Sequence, residues 1–293
     1  VLFVSDDHVE SLSGSCVHLE VLSVSYCPKV TGTCLKLLLQ RCRGLRTLLL
    51  EQTGLKSAHV MSADWERSGI QELNLSATDL SAECLSSTLC RLPHLRWLSC
   101  GFQEAFTDKV LESWMLSGAC ANIVSLDLNT CDSVSDAMLR EFILRYGGQL
   151  RGLHLAGLPH LTEPFWLSAF PELCNIEILV MGLAEDCCSK VQARIHVDQF
   201  LSHVAESCPR LERLEMRWDP DILRFSEKSS KFVDILRLRC HRLRALVLCD
   251  GKYYELAKSN FERTGRLSVV RNTTVCATTL LQLLNNYKDL LFN

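Results

Sequence analysis

The stretch CVHLEVLSVSYCPKV, residues 16–30, places apolar side chains at Leu19, Leu22 and Val24 and thiols at Cys16 and Cys27. Leu22 and Val24 are two residues apart, which sends both to one face of a short extended strand and turns Val21 and Ser23 to the other. The same frame, C-x-x-L-x-x-L-x-L, returns in CRGLRTLLLEQTGL from Cys42, CANIVSLDLNTCDSV from Cys120, CPRLERLEMRWDP from Cys208 and CHRLRALVLCDG from Cys240. Weaker copies are IQELNL at Ile70, LRWLSC at Leu95, LRGLHL at Leu150 and IEILVM at Ile176. The first Leu or Ile of each copy falls at positions 19, 45, 70, 95, 123, 150, 176, 211 and 243, so the intervals are 26, 25, 25, 28, 27, 26, 35 and 32. One such hexapeptide would carry little weight in a Leu-rich chain, but nine in register define a repeating structural unit.

Between the strand frames lie TGTCLKLLLQRC, SAECLSSTLCRL, TDKVLESWMLSGAC and SDAMLREFILRYGG, with apolar residues three and four apart and Thr, Ser or Asp near their starts, as amphipathic helices begin. Strand, turn and helix in every unit predict an α/β leucine-rich-repeat solenoid. The expected form is a right-handed β-α superhelix, a horseshoe with parallel strands on the concave face and helices outside. Residues 1–293 read as a single solenoid of about 9–10 repeats. After Leu243 the frame decays, and the final TTLLQLLNNYKDLLFN is expected to form a C-terminal helical cap near 277–293. The two long intervals place extra residues around Ala184 to Gln199 and Asp219 to Lys231, where loops are expected at one rim.

Composition agrees with a folded chain: 47% of residues are hydrophobic and 22% charged, enough apolar side chain for a continuous core. The net charge of -3, without a long Lys/Arg run, argues against a nucleic-acid stripe or a polybasic membrane patch and leaves protein as the expected partner. No apolar run approaches the roughly 20 residues that cross a bilayer. The opening VLFVSDDH begins at Val1 and lacks the features of a secretory signal, which suggests a fragment of a longer protein. Sixteen cysteines in a long Leu-rich chain read as reduced core thiols rather than a disulfide framework. The sequons at Asn74 and Asn272 point the other way, toward secretion, and both Asn side chains are expected to be unmodified.

Cys16, Cys42, Cys120, Cys208 and Cys240 stand three residues before the register mark, and Cys27 and Cys131 eight after it. Together with the Thr-Asp or Ser-Asp pairs at Thr78-Asp79, Thr107-Asp108 and Ser135-Asp136, this resembles the cysteine-containing repeat of F-box/leucine-rich-repeat proteins over almost the whole chain. The resemblance implies substrate recognition for a cullin-RING SCF-type ubiquitin ligase: the repeats capture a target protein, and an F-box outside this sequence docks on the ligase adaptor. It implies a cytoplasmic, or alternatively nuclear, protein. No Leu-Pro-led segment like an F-box is present, so an intracellular adaptor or inhibitor scaffold without a ubiquitin link stays open, as does a secreted recognition ectodomain.

The chain lacks H-E-x-x-H, G-x-x-x-x-G-K, G-x-G-x-x-G, G-x-S-x-G and C-x-x-C, so no enzyme chemistry, cofactor or catalytic residue is expected. Cys174, Cys187, Cys188 and Cys208, with His196 and His203, lie outside the frame, but their spacing matches no zinc or iron-sulfur signature and no metal is expected. His18, His94 and His241 read as solvated loop residues. A partner is expected on the outward strand positions, the third, fifth, seventh and eighth residues of each repeat. The candidates for protein binding are Tyr26, Trp97, Phe102, Asp127, His154, Arg213, Arg217 and Trp218, since aromatic residues and Arg most often dominate interfaces. Trp97 and Trp218 have an alternative reading, packing against neighbouring strands.

Overall fold

The computed structural model describes residues 3–182, 194–262 and 268–271. The segment expected to form the C-terminal cap lies outside them. The chain divides into two compact units, Val1–Met138 and Leu139–Asn293.

In the first unit α1 (Asp6–Ser15) precedes β1 (Val21–Ser23), followed by α2 (Leu35–Arg41), β2 (Thr47–Leu49), α3 (Ser57–Met61), β3 (Glu72–Asn74), α4 (Ala82–Cys90), β4 (Trp97–Ser99), α5 (Asp108–Ser117) and β5 (Ser125–Asp127). The five strands are parallel and pair in chain order, with Val21, Thr47, Glu72, Trp97 and Ser125 side by side. These are the third residues of their repeats, so the sequence frame is the hydrogen-bonding register. α6 spans Asp136–Tyr146.

The second unit holds β6 (Gly152–His154), α7 (Glu163–Ala169), β7 (Ile178–Gly182), β8 (Ile195–His196), α8 (Val197–Ser207), β9 (Arg213–Arg217), β10 (Leu223–Arg224), α9 (Ser229–Arg239), β11 (Ala245–Leu248), α10 (Lys252–Glu262) and β12 (Ser268–Arg271). Here β6, β7, β9, β11 and β12 are parallel neighbours, with Gly152, Ile178, Arg213, Ala245 and Ser268 aligned. The register therefore survives both long intervals. Their extra residues are not simply rim loops: β8 and β10 pair in parallel as a separate two-stranded sheet, and α8 and α9 begin within the expected loop ranges.

Both units are α/β leucine-rich-repeat solenoid, and their core is the ladder itself. Leu48, Leu73 and Leu126 at the fourth repeat position are 0% exposed, as are Leu179, Leu214 and Leu246, while Leu50, Leu75 and Leu128 at the sixth are at most 1% exposed. At about 1.5–3 kcal/mol per buried Leu, Ile or Val, stacking one repeat on the next accounts for the hydrophobic stabilisation. Successive helices also pack on one another, α1 on α2, α3 on α4 and α4 on α5 in the first unit, α8 on α9 and α9 on α10 in the second. No described helix is long and apolar enough to cross a membrane.

Two further devices tie each repeat to the next. Cysteine thiols donate to carbonyls of a neighbouring repeat: Cys42 Sγ to Cys16 O at 3.4 Å, Cys131 Sγ to Cys100 O at 3.0 Å and Cys240 Sγ to Cys208 O at 3.3 Å. Burial pushes the Cys131 and Cys240 thiols up to about 12 and raises those of Cys34, Cys42, Cys84, Cys100 and Cys208 as well. Thiols held protonated in this way are poor nucleophiles. In the native protein at neutral pH, alkylation mapped by mass spectrometry is therefore expected at exposed Cys16 and Cys174, with Cys131 and Cys240 reacting only on unfolding. Rapid native-state labelling of Cys131 would contradict this packing.

The second device is an acid or hydroxyl near a helix start that accepts backbone N–H groups from the following repeat. Asp108 accepts from Ser135 N at 2.7 Å, Ser57 from Ser81 N at 3.0 Å, and Asp198 from Ser226 N and Ser226 Oγ at 3.2 and 2.8 Å. Asp6 is the fullest case, accepting from Thr31, Gly32 and Cys34. Thr107-Asp108 and Ser135-Asp136 do open α5 and α6, but Thr78-Asp79 stands ahead of the α4 N-cap, Ser81, whose Oγ accepts from Cys84 N at 3.2 Å.

Candidate protein-binding surface

The outward strand positions of the first unit carry a continuous polar chain across β1 to β5. Tyr26 Oη donates to Glu51 at 2.9 Å, Asn74 Nδ2 donates to the other Glu51 oxygen at 3.3 Å, and Asn74 Oδ1 accepts from Ser76 N at 2.9 Å. Ser99 Oγ donates to Asp127 at 3.0 Å, so the Ser76 and Ser99 hydroxyls, 2.9 Å apart, are linked by a proton from Ser76. Thr47 Oγ1 donates to Glu72 at 2.8 Å. Burial and the Glu51 carboxylate both raise the Tyr26 phenol above its ordinary value. Most of these side chains are buried against their neighbours, so the network fixes the face in one arrangement rather than offering loose contact groups.

What projects in the first unit is the eighth residue of its repeats. Tyr26, Gln52, Ala77, Phe102 and Thr130 all adopt left-handed backbone, with φ of 62°, 51°, 52°, 58° and 58°, and Gly157 holds the same position in the second unit at 75°. A β-carbon makes this region costly, so something must hold it. The backbone does so from one side, since Tyr26 N, Gln52 N, Ala77 N and Phe102 N donate to the seventh-residue carbonyls of the next repeat at 2.7–2.9 Å. The ninth residue does so from the other. Thr53 and Thr78 hydroxyls donate to Leu50 O and Leu75 O at 2.6 Å, and Gln103 Nε2 donates to Leu75 O at 2.6 Å. The sequence signal for this row was the small or polar ninth residue, Cys27, Thr53, Thr78, Gln103 and Cys131, in one frame position.

The candidate residues separate clearly. Tyr26 and Phe102 are exposed, at 49% and 53%, on the left-handed row. Trp97 is half-buried on β4 with the Arg96 guanidinium 4.8 Å from its ring centroid, a cation–π contact. Asp127 points outward but is buried, accepting from Ser99 and from Asn129 N at 3.0 Å, and His154 is buried on β6, so both belong to the packed floor and offer little open surface. On β9, Arg213 and Arg217 flank the buried Glu215: Arg213 Nε donates at 2.6 Å, and Arg217 donates through Nε and Nη2 at 2.9 and 2.6 Å. Burial alone would raise the Glu215 carboxyl, but the two guanidinium charges and their hydrogen bonds outweigh it and hold it below its ordinary value. One net positive charge is left on this strand face, beside the buried apolar patch of Ala156, Ile178 and Val180.

Trp218 requires a correction. It is 2% exposed and packs edge to face on Phe200 of α8, ring centroids 5.1 Å apart. β9 runs on to Arg217, two residues past the end of the corresponding short strands, so the eighth residue of this repeat turns into the core instead of entering the left-handed row.

His18, His94 and His241 are exposed, as expected. Of the cluster outside the frame, Cys187 and Cys188 lie outside the described residues. Cys174 is exposed and Cys208 buried, His196 pairs with Glu163 at 3.1 Å, and His203 contacts Gln199 O at 2.8 Å. Among the described residues no group of three or more His, Cys, Asp or Glu side chains is placed to hold a metal ion.

No protein-family model matches the chain, and no curated protein matches it. Solved structures do. A chain in the crystal structure of the complex of Rad7 and Elc1 in yeast aligns over 94% of this chain and 87% of its own length, with a TM-score of 0.59 and 17% sequence identity. At that identity the likeness is one of fold, and it agrees with the repeat architecture described above.

Proposed function

We propose that this chain is a protein-capturing scaffold that recognises substrates for a cullin-RING SCF-type ubiquitin ligase, while another subunit carries out the chemistry. The observation that carries the scaffold reading is the rigid outward face of the first unit, where a side-chain network spans five strands beneath a row of projecting left-handed residues. A preorganised surface of this kind reduces the ordering cost of binding a protein. The ubiquitin link is supported by the cysteine-containing repeat frame, and the shared repeat fold with a chain crystallised in a two-protein complex supports the protein-binding part of the reading. The reading places the protein in the cytoplasm or nucleus, with an adaptor bound through an F-box outside this sequence and the substrate on the strand face.

The test is affinity purification of the full-length protein followed by a reconstituted ubiquitylation assay. Co-purification of a ligase adaptor, and ubiquitin transfer to the captured partner that depends on this chain, is the expected result. A partner captured with neither adaptor nor transfer would instead make the chain a plain adaptor or inhibitor scaffold.

A further inference from the structure

The left-handed row of the first unit passes over a groove of about 790 Å³ at the strand-to-helix turns of the third and fourth repeats. Its lining includes Ser57, Ala77, Asp79, Phe102, Glu104 and Ala105. Three properties meet there. Phe102 presents a half-exposed aromatic ring from a backbone conformation that disfavours any β-carbon, while Gly157 fills the same repeat position without a side chain, so the fold itself does not call for a ring. Asp79 and Glu104 are both exposed, and the groove lining contains no Lys or Arg. Finally, Ala77 and Ala105 keep the space beside the ring open.

We infer that this groove takes an arginine-bearing extended segment of a partner protein, its guanidinium on the Phe102 ring and paired with Asp79 and Glu104. The chemistry selects arginine over other side chains. A planar guanidinium can lie on an aromatic face and donate to carboxylates in the same pose, whereas a lysine ammonium is a hydrated point charge and an acidic residue would meet like charge. The volume exceeds that of one side chain, so flanking residues of the segment have room against Ala77 and Ala105. This inference rests on the scaffold reading and deepens it by naming the chemistry of the bound segment.

The experiment is fluorescence anisotropy of the whole chain with a labelled hexapeptide, Gly-Leu-Arg-Leu-Arg-Gly, and with its counterpart in which both Arg are Gln. The arginine peptide is expected to bind roughly tenfold or more tighter than the glutamine peptide, the worth of one good charge-assisted pair. Phe102→Ala, and separately the Asp79→Asn/Glu104→Gln double variant, should each remove that preference, whereas Leu116→Ala, at a position 76% exposed on α5, should keep it. Thermal melts of each variant separate loss of binding from loss of fold, and the carboxylate variant, altered only at exposed positions, serves if Phe102→Ala melts early. Equal binding of the two peptides, unchanged binding by both variants, or no binding of the arginine peptide at about 1 mM overturns the inference. If full-length protein still captures its partner in those cases, the groove assignment alone falls; if it captures none, the scaffold reading falls as well.

Discussion

Trp218→Ala is expected to lower the stability of the second unit by about 3–5 kcal/mol, the range for deleting a buried aromatic side chain. Trp218 ends a run of rings that continues through Phe200, Phe170, Trp166 and Phe165, with successive centroids 5.1, 5.0, 6.2 and 5.2 Å apart. These rings come from α7, the turn after it, α8 and the residue that follows β9, so they join successive parts of the unit. Removing the indole leaves a cavity against Phe200 that the stacked repeats cannot close without shifting a strand. Its neighbour makes the natural comparison: Arg217→Ala leaves Arg213 on Glu215 and is expected to cost about 1.5–3 kcal/mol, as for hydrogen bonding to a charged group. Urea titrations followed by circular dichroism check both. A loss below about 1 kcal/mol for Trp218→Ala would mean that the indole does not carry the packing assigned to it. It follows that an Arg217/Trp218 double substitution, attractive from sequence as a probe of binding, would report mainly on folding.

Asp6→Ala should cost about 2–4 kcal/mol at neutral pH, because it strands buried donors that a charged acceptor now satisfies. Asp6 Oδ2 accepts from Thr31 N and Thr31 Oγ1, both at 2.8 Å, and Oδ1 from Gly32 N at 3.0 Å and Cys34 N at 3.2 Å. Burial would raise the carboxyl, but these hydrogen bonds from Cys34 and Thr31 prevail and lower it from 3.8 to about 2. The folded state therefore binds this proton more weakly than the unfolded chain does. The associated stabilisation is complete above the unfolded value and is lost as pH falls from about 4 toward 2, amounting to about 1–2 kcal/mol after allowance for solvent screening. Denaturation curves of the parent and Asp6→Ala should accordingly draw together between pH 5 and about pH 2. A gap that stays constant over that interval would show that the charge on Asp6 contributes nothing to clasping α1 to the first repeat.

Both effects bear on function through rigidity. The Asp6 clasp fixes α1 against the turn that leads into α2, and the polar chain from Tyr26 to Asp127 fixes the outward face of β1 to β5. A partner meeting this face finds its left-handed row already in place, so less binding energy is spent on ordering it.

The Leu/Ile ladder was legible in the sequence because a period-2 strand pattern recurring about every 26 residues has one economical solution, parallel strands stacked in register. Strand positions, inward faces, parallel pairing and the buried thiols of Cys27, Cys42, Cys120, Cys131, Cys208 and Cys240 follow from residue type and spacing within one repeat, whereas Cys16, at the same frame position as Cys42, is exposed against that expectation. Even the stretched intervals before Leu211 and Leu243 kept the frame, since Arg213 pairs with Ile178 on one side and with Ala245 on the other, third residues all. What the spacing left open was the direction of side chains at the ends of that frame. Trp218 and Phe102 occupy the same repeat position, yet one is core and the other surface. The choice depends on whether the backbone enters the left-handed region after the strand, and that is set by hydrogen bonds to the next repeat and by the ninth residue. Asp127 and His154 likewise face outward by pattern, but their neighbours on adjacent strands bury them. Periodicity is a property of one chain segment, whereas exposure is decided by the segments stacked on either side of it, which is why only the tertiary structure separates contact residues from floor.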